Sequence, residues 1–200
     1  MSSSSAADSA GPRGKLIVIS GPSGAGKSSI CGILLEQLPR AVWSVSATTR
    51  PQRPGDVAGE SYEFVSREEF ERRRAGGMFL EWAEYCGELY GTPRTMVEEA
   101  LRDGESVVLE IDVQGGAQVA KRMPESIRIF VMPPDMASLK ARLEGRRTEA
   151  EAQMQGRLAK ADGEIAFARD CGAYDHFVTN DVLEETVADV LRIIEEQVDT

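Results

Sequence analysis

Gly21-Pro22-Ser23-Gly24-Ala25-Gly26-Lys27-Ser28 follows the apolar run Leu16-Ile17-Val18-Ile19 by one residue. The eight residues satisfy the spacing G-x-x-x-x-G-K-[ST], and the run before them reads as a buried strand. After them, residues 27–38 set Ile30, Ile33, Leu34 and Leu38 on one helical face and stop at Pro39. Strand, glycine-rich loop and helix in that order make an anion cradle. The glycines admit positive φ, the loop N–H groups converge on a phosphate, and the helix turns its positive dipole end toward it. Lys27 is spaced to reach the β- and γ-phosphates of a nucleoside triphosphate. Ser28 offers a hydroxyl to Mg²⁺, which takes oxygen ligands. A dinucleotide-binding turn explains the glycines but does not require Lys and Ser at these positions.

The loop does not name the acceptor of a phosphoryl group, and composition narrows the choice only by exclusion. Two hundred residues suit one domain, with 42% apolar and 28% charged residues near globular averages. A net charge of −10 argues against nucleic acid as a general partner. No apolar run approaches the roughly 18 residues of a membrane helix. Residues 1–14, with four consecutive serines and no apolar core, read as a flexible tail rather than a signal peptide. Cys31, Cys86 and Cys171 are odd in number and lack paired spacing, and His176 is the single histidine, so neither a disulfide framework nor a zinc site is expected. These features suit the cytoplasm.

Along the chain, 42–45 reads as a short strand, 46–59 as a basic loop rich in Pro and Gly, and 62–65 as a strand. Ser66 with Glu69 forms a capping box for a helix to about Ala75, which Gly76-Gly77 ends. Residues 78–86 alternate as a strand. Tyr90-Gly91-Thr92 reads as a turn into a helix capped by Thr92 with Pro93 at its first position, ending at Gly104. A buried strand at 106–111 ends in Glu110 and Asp112 before a Gly115-Gly116 turn. Further strands are expected at 127–132 and 176–179, with a helix opened by Asp135 and running to about Leu143. An amphipathic helix at 182–198 is expected to turn Val187, Val190, Leu191 and Ile194 inward. Between them, 144–172 is polar, Arg-rich and helical, broken at Gly145, Gly156 and Gly163, and reads as mobile. The alternation predicts a parallel α/β sheet of the P-loop NTPase type with helices on both faces, the loop at its carboxyl edge, and a small mixed α+β insertion.

Arg50, Arg53, Tyr62 and Tyr90 suit a second phosphate, since guanidinium forks and phenols match its oxygens. From here the sequence resembles the guanylate kinase family: Ser44-Val45-Ser46-Ala47-Thr48-Thr49-Arg50-Pro51-Gln52-Arg53-Pro54-Gly55, Tyr62-Glu63-Phe64, Phe79-Leu80-Glu81-Trp82-Ala83, Tyr90-Gly91-Thr92, Glu110-Ile111-Asp112-Val113-Gln114-Gly115 and Asn180-Asp181. The likeness covers nearly all of 15–198. It implies a core of 15–45 and 96–198, a GMP-binding insertion of 46–95 and a lid of about 144–172. The activity implied is transfer of the γ-phosphoryl group of ATP to GMP or dGMP with Mg²⁺, by a monomer or homodimer.

Carried over by position, Arg50, Arg53, Tyr62 and Tyr90 hold the GMP phosphate, while Ser46, Glu81, Thr92 and Asp112 read guanine. Carboxylates accept from the guanine N1–H and 2-amino donors, and hydroxyls serve O6. Gly21, Pro22, Ser23, Gly24, Ala25, Gly26, Lys27, Ser28 and Ser29 hold ATP, with Asn180 and Asp181 toward adenine. Lys27, Arg142, Arg146 and Arg157 serve the transferring group, and Ser28 the metal. The chain departs from the family at Glu110, where Asp is common, at Leu89, where Tyr is common, and at Arg147, where Gly is frequent. Two other readings stay open: a guanylate-kinase-like interaction module without catalysis, and a kinase for another nucleoside monophosphate.

Overall fold

The computed structural model describes residues 13–85, 87–144 and 151–198. Among these, the strands are β1 (Leu16–Ser20), β2 (Ala41–Trp43), β3 (Ala47–Thr48), β4 (Glu63–Phe64), β5 (Phe79–Tyr85), β6 (Glu88–Pro93), β7 (Ser106–Glu110), β8 (Ile127–Met132) and β9 (His176–Thr179). The helices are α1 (Lys27–Gln37), α2 (Arg67–Ala75), α3 (Arg94–Arg102), α4 (Val113–Arg122), α5 (Met136–Glu144), α6 (Glu151–Asp170) and α7 (Leu183–Val198).

Alternation along β1 builds the two faces of the main sheet. Ile17 and Ile19 pack with Ile30, Cys31 and Leu34 of α1 and Val187, Val190, Ile193 and Ile194 of α7. Leu16 and Val18 point the other way, onto Val97, Ala100 and Leu101 of α3 and Val119 of α4. A strand apolar on both faces belongs inside a parallel sheet covered by helices. The sheet is parallel throughout, in the order β2-β7-β1-β8-β9. All five strands therefore end on one edge, and the chain reverses its direction of sheet growth at β1. Ligands of open α/β sheets bind at that kind of edge.

A second sheet, ordered β4-β3-β6-β5, is mixed: β3 pairs parallel with β4, and β6 pairs antiparallel with both β3 and β5. Its own core is Ala47, Phe70, Phe79 and Leu89, with the Phe70 and Phe79 rings stacked at 4.4 Å. Ser66 accepts from the Glu69 N–H at 3.1 Å, so α2 begins where its capping residues indicate. The Asp135 carboxylate likewise accepts from the Ser138 N–H at 2.6 Å and opens α5.

Four expectations are corrected. Residues 88–93 form β6 rather than a turn, α3 starts at Arg94, and the Thr92 hydroxyl caps no helix. A Cβ at Gly91 would lie 3.0–3.1 Å from the Phe79 and Phe70 rings, so this glycine marks close packing within a strand. Gly115 and Gly116 lie inside α4, not in a turn. Their missing side chains admit Glu81 and the Tyr174 ring. Helix α6 runs unbroken through Gly156 and Gly163. In α7 the expected inward residues do pack on the core, with Val187, Val190 and Ile194 buried alongside Ile193, and Leu191 partly buried against them. At the other end, Gly14 donates to the Leu101 carbonyl at 2.9 Å and belongs to the folded unit rather than to the expected tail.

Candidate active site

A cleft of about 510 Å³ opens at the carboxyl edge of the main sheet, lined by the loop after β1, the ends of β2 and β7, Tyr62, Thr92 and side chains of α6. Gly21, Gly24 and Gly26 carry φ of 148°, 89° and 95°. At Gly26, which precedes α1, a Cβ would collide with the Asn180 amide. That amide donates to the Ala25 carbonyl at 2.7 Å, and its own oxygen accepts from Thr186 at 3.3 Å. Asn180 thus buttresses the loop from the end of β9, and neither it nor Asp181 lines the cleft.

Lys27 donates to the Gly21 and Pro22 carbonyls at 2.7 and 3.1 Å, so its ammonium lies over the concave side of its own loop. Burial lowers its pKa, opposed by the carboxylates of Glu110, Glu164 and Asp112. Beside it the Ser28 hydroxyl donates to Glu110 Oε1 at 2.9 Å. A hydroxyl and a carboxylate side by side are the oxygen pair that a hard divalent cation shares with phosphates.

Arg157, on α6, donates to the Ser23 hydroxyl at 2.8 Å and lines the cleft. Arg142 is turned elsewhere: it donates to the Asn180 and Asp181 carbonyls at 2.9 and 3.4 Å and does not line the cleft. Arg146 and Arg147 lie outside the described residues. Sequence reasoning missed Lys160 and Glu164, which also line the cleft. They stand three and seven residues after Arg157, on the same helical face, and that spacing was the available signal. Lys160 places its ammonium 4.6 Å from the Tyr85 ring, so α6 touches the tip of β5 across the mouth of the cleft.

On the opposite wall, Ser46, Tyr62, Thr92 and Asp112 face the cleft, while Glu81 stands immediately behind Thr92. The register of β5 and β6 slips between Phe79 and Glu81, leaving Leu80 as an extra residue. This bulge lets three successive side chains bury in three directions. Phe79 enters the core of the small sheet, Leu80 the main core, and Glu81 the site. It also sets Glu81 opposite Thr92, whose hydroxyl donates to Oε1 at 2.6 Å. Glu81 is 5% exposed. Burial pushes its carboxyl up to about 7, with the Asp112 charge adding and the Thr92 hydrogen bond and Arg122 opposing.

Asp112 accepts from the Gly115 N–H at 2.8 Å and caps α4. Tyr62, Tyr90 and Arg50 form one group: the Arg50 guanidinium lies 5.2 Å from the Tyr62 ring, and Tyr62 meets Tyr90 edge-on at 5.9 Å. Arg50 pairs with Asp56 at 3.0 Å. Arg53 is exposed in the same loop, its backbone N–H on Asp56, and its side chain is not in the wall of the cleft. Three of the four expected phosphate-clamp residues are therefore together.

Among the described residues no group of three or more His, Cys, Asp or Glu is arranged to hold a metal. No helix among them is long and apolar enough to cross a membrane.

The guanylate kinase family model matches residues 13–197. A guanylate kinase of Rubrobacter xylanophilus is 51% identical over 182 residues, 91% of this chain and 94% of that protein. One from Thermus thermophilus is 48% identical over 184 residues, 92% and 81% of the two chains. The crystal structure of guanylate kinase from Anaplasma phagocytophilum superposes with a TM-score of 0.73 at 35% identity, covering 94% of this chain and 87% of that one. With the family model matched over nearly the whole chain and these relatives aligned over more than nine-tenths of it, the chain belongs to the guanylate kinase family.

Proposed function

We propose that the protein transfers the γ-phosphoryl group of ATP to GMP, and to dGMP, giving ADP and GDP or dGDP. The observation that carries this reading is the buried Glu81, held by Thr92 beside Asp112 across the cleft from the loop that holds Lys27. Guanine presents N1–H and a 2-amino group, which carboxylates accept; adenine has an acceptor at N1 and no 2-amino group. AMP leaves buried acceptors unpaired, a mismatch worth roughly 10⁴–10⁵ in discrimination for a site built on hydrogen bonds.

A phosphate oxygen of GMP attacks the γ-phosphorus, a P–O bond forms to it, and the bond from the γ-phosphorus to the β,γ-bridging oxygen breaks. The electron pair leaves with ADP. No general base is required, because the nucleophile is already an anion. Lys27 exchanges its loop carbonyls for phosphate oxygens. Arg157 brings positive charge from α6 toward the equatorial oxygens, where it matters most in the transition state. Arg50, Tyr62 and Tyr90 hold the acceptor phosphate in line, with Arg53 brought in from its loop. Ser28 would ligate Mg²⁺ and Glu110 would orient its water shell; the ion would there supply charge neutralisation for the phosphates. Helix α6, within the expected lid of about 144–172, would serve as the moving part, and closure keeps water from accepting the phosphoryl group. Cys31 and Cys171 are free thiols, in keeping with a reducing cytoplasm.

The test is coupled ADP release with ATP and Mg²⁺, comparing GMP, dGMP, AMP, CMP and UMP. Turnover confined to the guanine nucleotides is expected. Equal use of AMP overturns the base-reading assignment.

A further inference from the structure

Strand β5 lies at the edge of the small sheet. One side of it pairs with β6, and the backbone groups on its other side need partners that the sheet cannot supply. Helix α4 supplies them. Gln118 donates to the Trp82 carbonyl at 2.8 Å and accepts from the Trp82 N–H at 3.3 Å, taking the place of a neighbouring strand. One turn on, Arg122 donates to the Phe79 carbonyl at 3.1 Å and to the Leu80 carbonyl. The three residues so held, 79, 80 and 82, bracket Glu81 and include the bulge that aims it.

The same helix carries the second carboxylate. Asp112 is its N-cap, and a Cβ on Gly115 would lie 2.7 Å from Glu81 Oε2, so the Glu81 carboxylate rests directly on the first turn of α4. One rigid element therefore fixes Asp112 at its end and Glu81 against its side. The spacing between the two groups is set by the hydrogen bonds that bind β5 to α4.

We infer that Gln118 and Arg122 are positioning residues for purine selection: they lock the β5 bulge onto α4 and thereby fix Glu81 relative to Asp112, so that the pair discriminates nucleotides by the 2-amino group. This rests on the assignment of Glu81 and Asp112 to guanine. Neither residue touches the cleft, and their effect on the reaction passes through Glu81.

The test uses the full chain with GMP and with inosine monophosphate, which lacks the 2-amino group. Gln118→Met keeps the side-chain length and removes both hydrogen bonds to Trp82. The expected result is about a tenfold fall in the GMP-to-IMP ratio of kcat/KM, read as a raised KM for GMP, with KM for ATP unchanged; misplacement of a binding group by about 1 Å has effects of this order or larger. Gln118→Glu keeps acceptance from the Trp82 N–H, loses the donation, and is expected to fall between the two. It also serves where Gln118→Met does not fold. An unchanged GMP-to-IMP ratio in both variants overturns the inference, as does an equal loss with both acceptors together with a lowered Tm, the mark of a merely structural contact. If the unaltered chain uses GMP and IMP equally well, the assignment of Glu81 itself fails and the inference falls with it.

Discussion

On the proposed donor side of the cleft, consecutive residues from Gly21 to Ser28 supply the loop, the ammonium and the hydroxyl, whereas the proposed acceptor side gathers Ser46, Tyr62, Thr92 and Asp112, with Glu81 behind Thr92, from separate elements. The donor wall is set by its own backbone: positive φ at the glycines and a helix beginning at Lys27. The acceptor wall is set by packing, since Glu81 depends on a bulge, on β6 and on α4. A contiguous wall fails locally when altered. An assembled wall transmits a change made well outside it.

The sharpest way to separate the two walls is Lys27→Met. It is expected to lower kcat by at least about 10³-fold, because it removes a charge from the transferring phosphate. Calorimetry should find GMP affinity unchanged; a parallel loss would mean that the walls are not independent. Next comes Glu81→Gln, which replaces an acceptor by an amide that presents N–H to the guanine donors. A fall of about 10²-fold in kcat/KM for GMP is expected, with KM for ATP untouched. Gly26→Ala probes the donor backbone, where the new Cβ meets Asn180 at a φ of 95°. It should destabilise the fold by about 2 kcal/mol and raise KM for ATP while sparing KM for GMP. Thermal melts and initial rates read both effects.

A further effect is one of pH. Burial raises the Glu81 carboxyl to about 7 in the folded state against an ordinary 4.5, so the folded state binds the extra proton between these values. Stability from this group is fully present below about 4.5 and is lost as pH rises through about 7, an effect of at most about 3 kcal/mol. Melts of the protein without nucleotide should therefore show a pH slope in this window that Glu81→Gln lacks. GMP binding has the opposite sign, weakening as the carboxylate protonates. The second proton of the GMP phosphate, with pKa near 6, titrates in the same range, so Glu81→Gln is the control that isolates the protein's part. A slope identical in the variant removes Glu81 from this account.

The contrast between the walls also explains what the sequence made legible. The strand before Gly21, the helix after it and the strand at 176–179 depend on local pattern, and the structure has them as expected. Strand β6 and helix α4 were hidden by glycines. Gly91, Gly115 and Gly116 look like punctuation in the sequence, yet each is small because a ring or a carboxyl group from a distant element occupies the Cβ position. Such a glycine has no local signature. Among the site residues, Lys27 and Ser28 line the cleft and Glu81 is buried behind Thr92, whereas Arg142 and Asn180 are engaged with backbone. Chain position placed these two near the loop but said nothing of which way their side chains turn.

Under the proposed role of Lys27, its rest on the Gly21 and Pro22 carbonyls bears on how the protein ranks nucleotides. Binding is an exchange in which two neutral oxygens are released and phosphate oxygens taken up, and only the difference appears as affinity. Charge-assisted hydrogen bonds are roughly twice as strong as neutral ones, so the exchange is favourable in proportion to the negative charge arriving at that point. A triphosphate gains most, a diphosphate less, and a nucleoside almost nothing. The loop's own carbonyls thus act as a threshold against ligands too weakly charged to displace them.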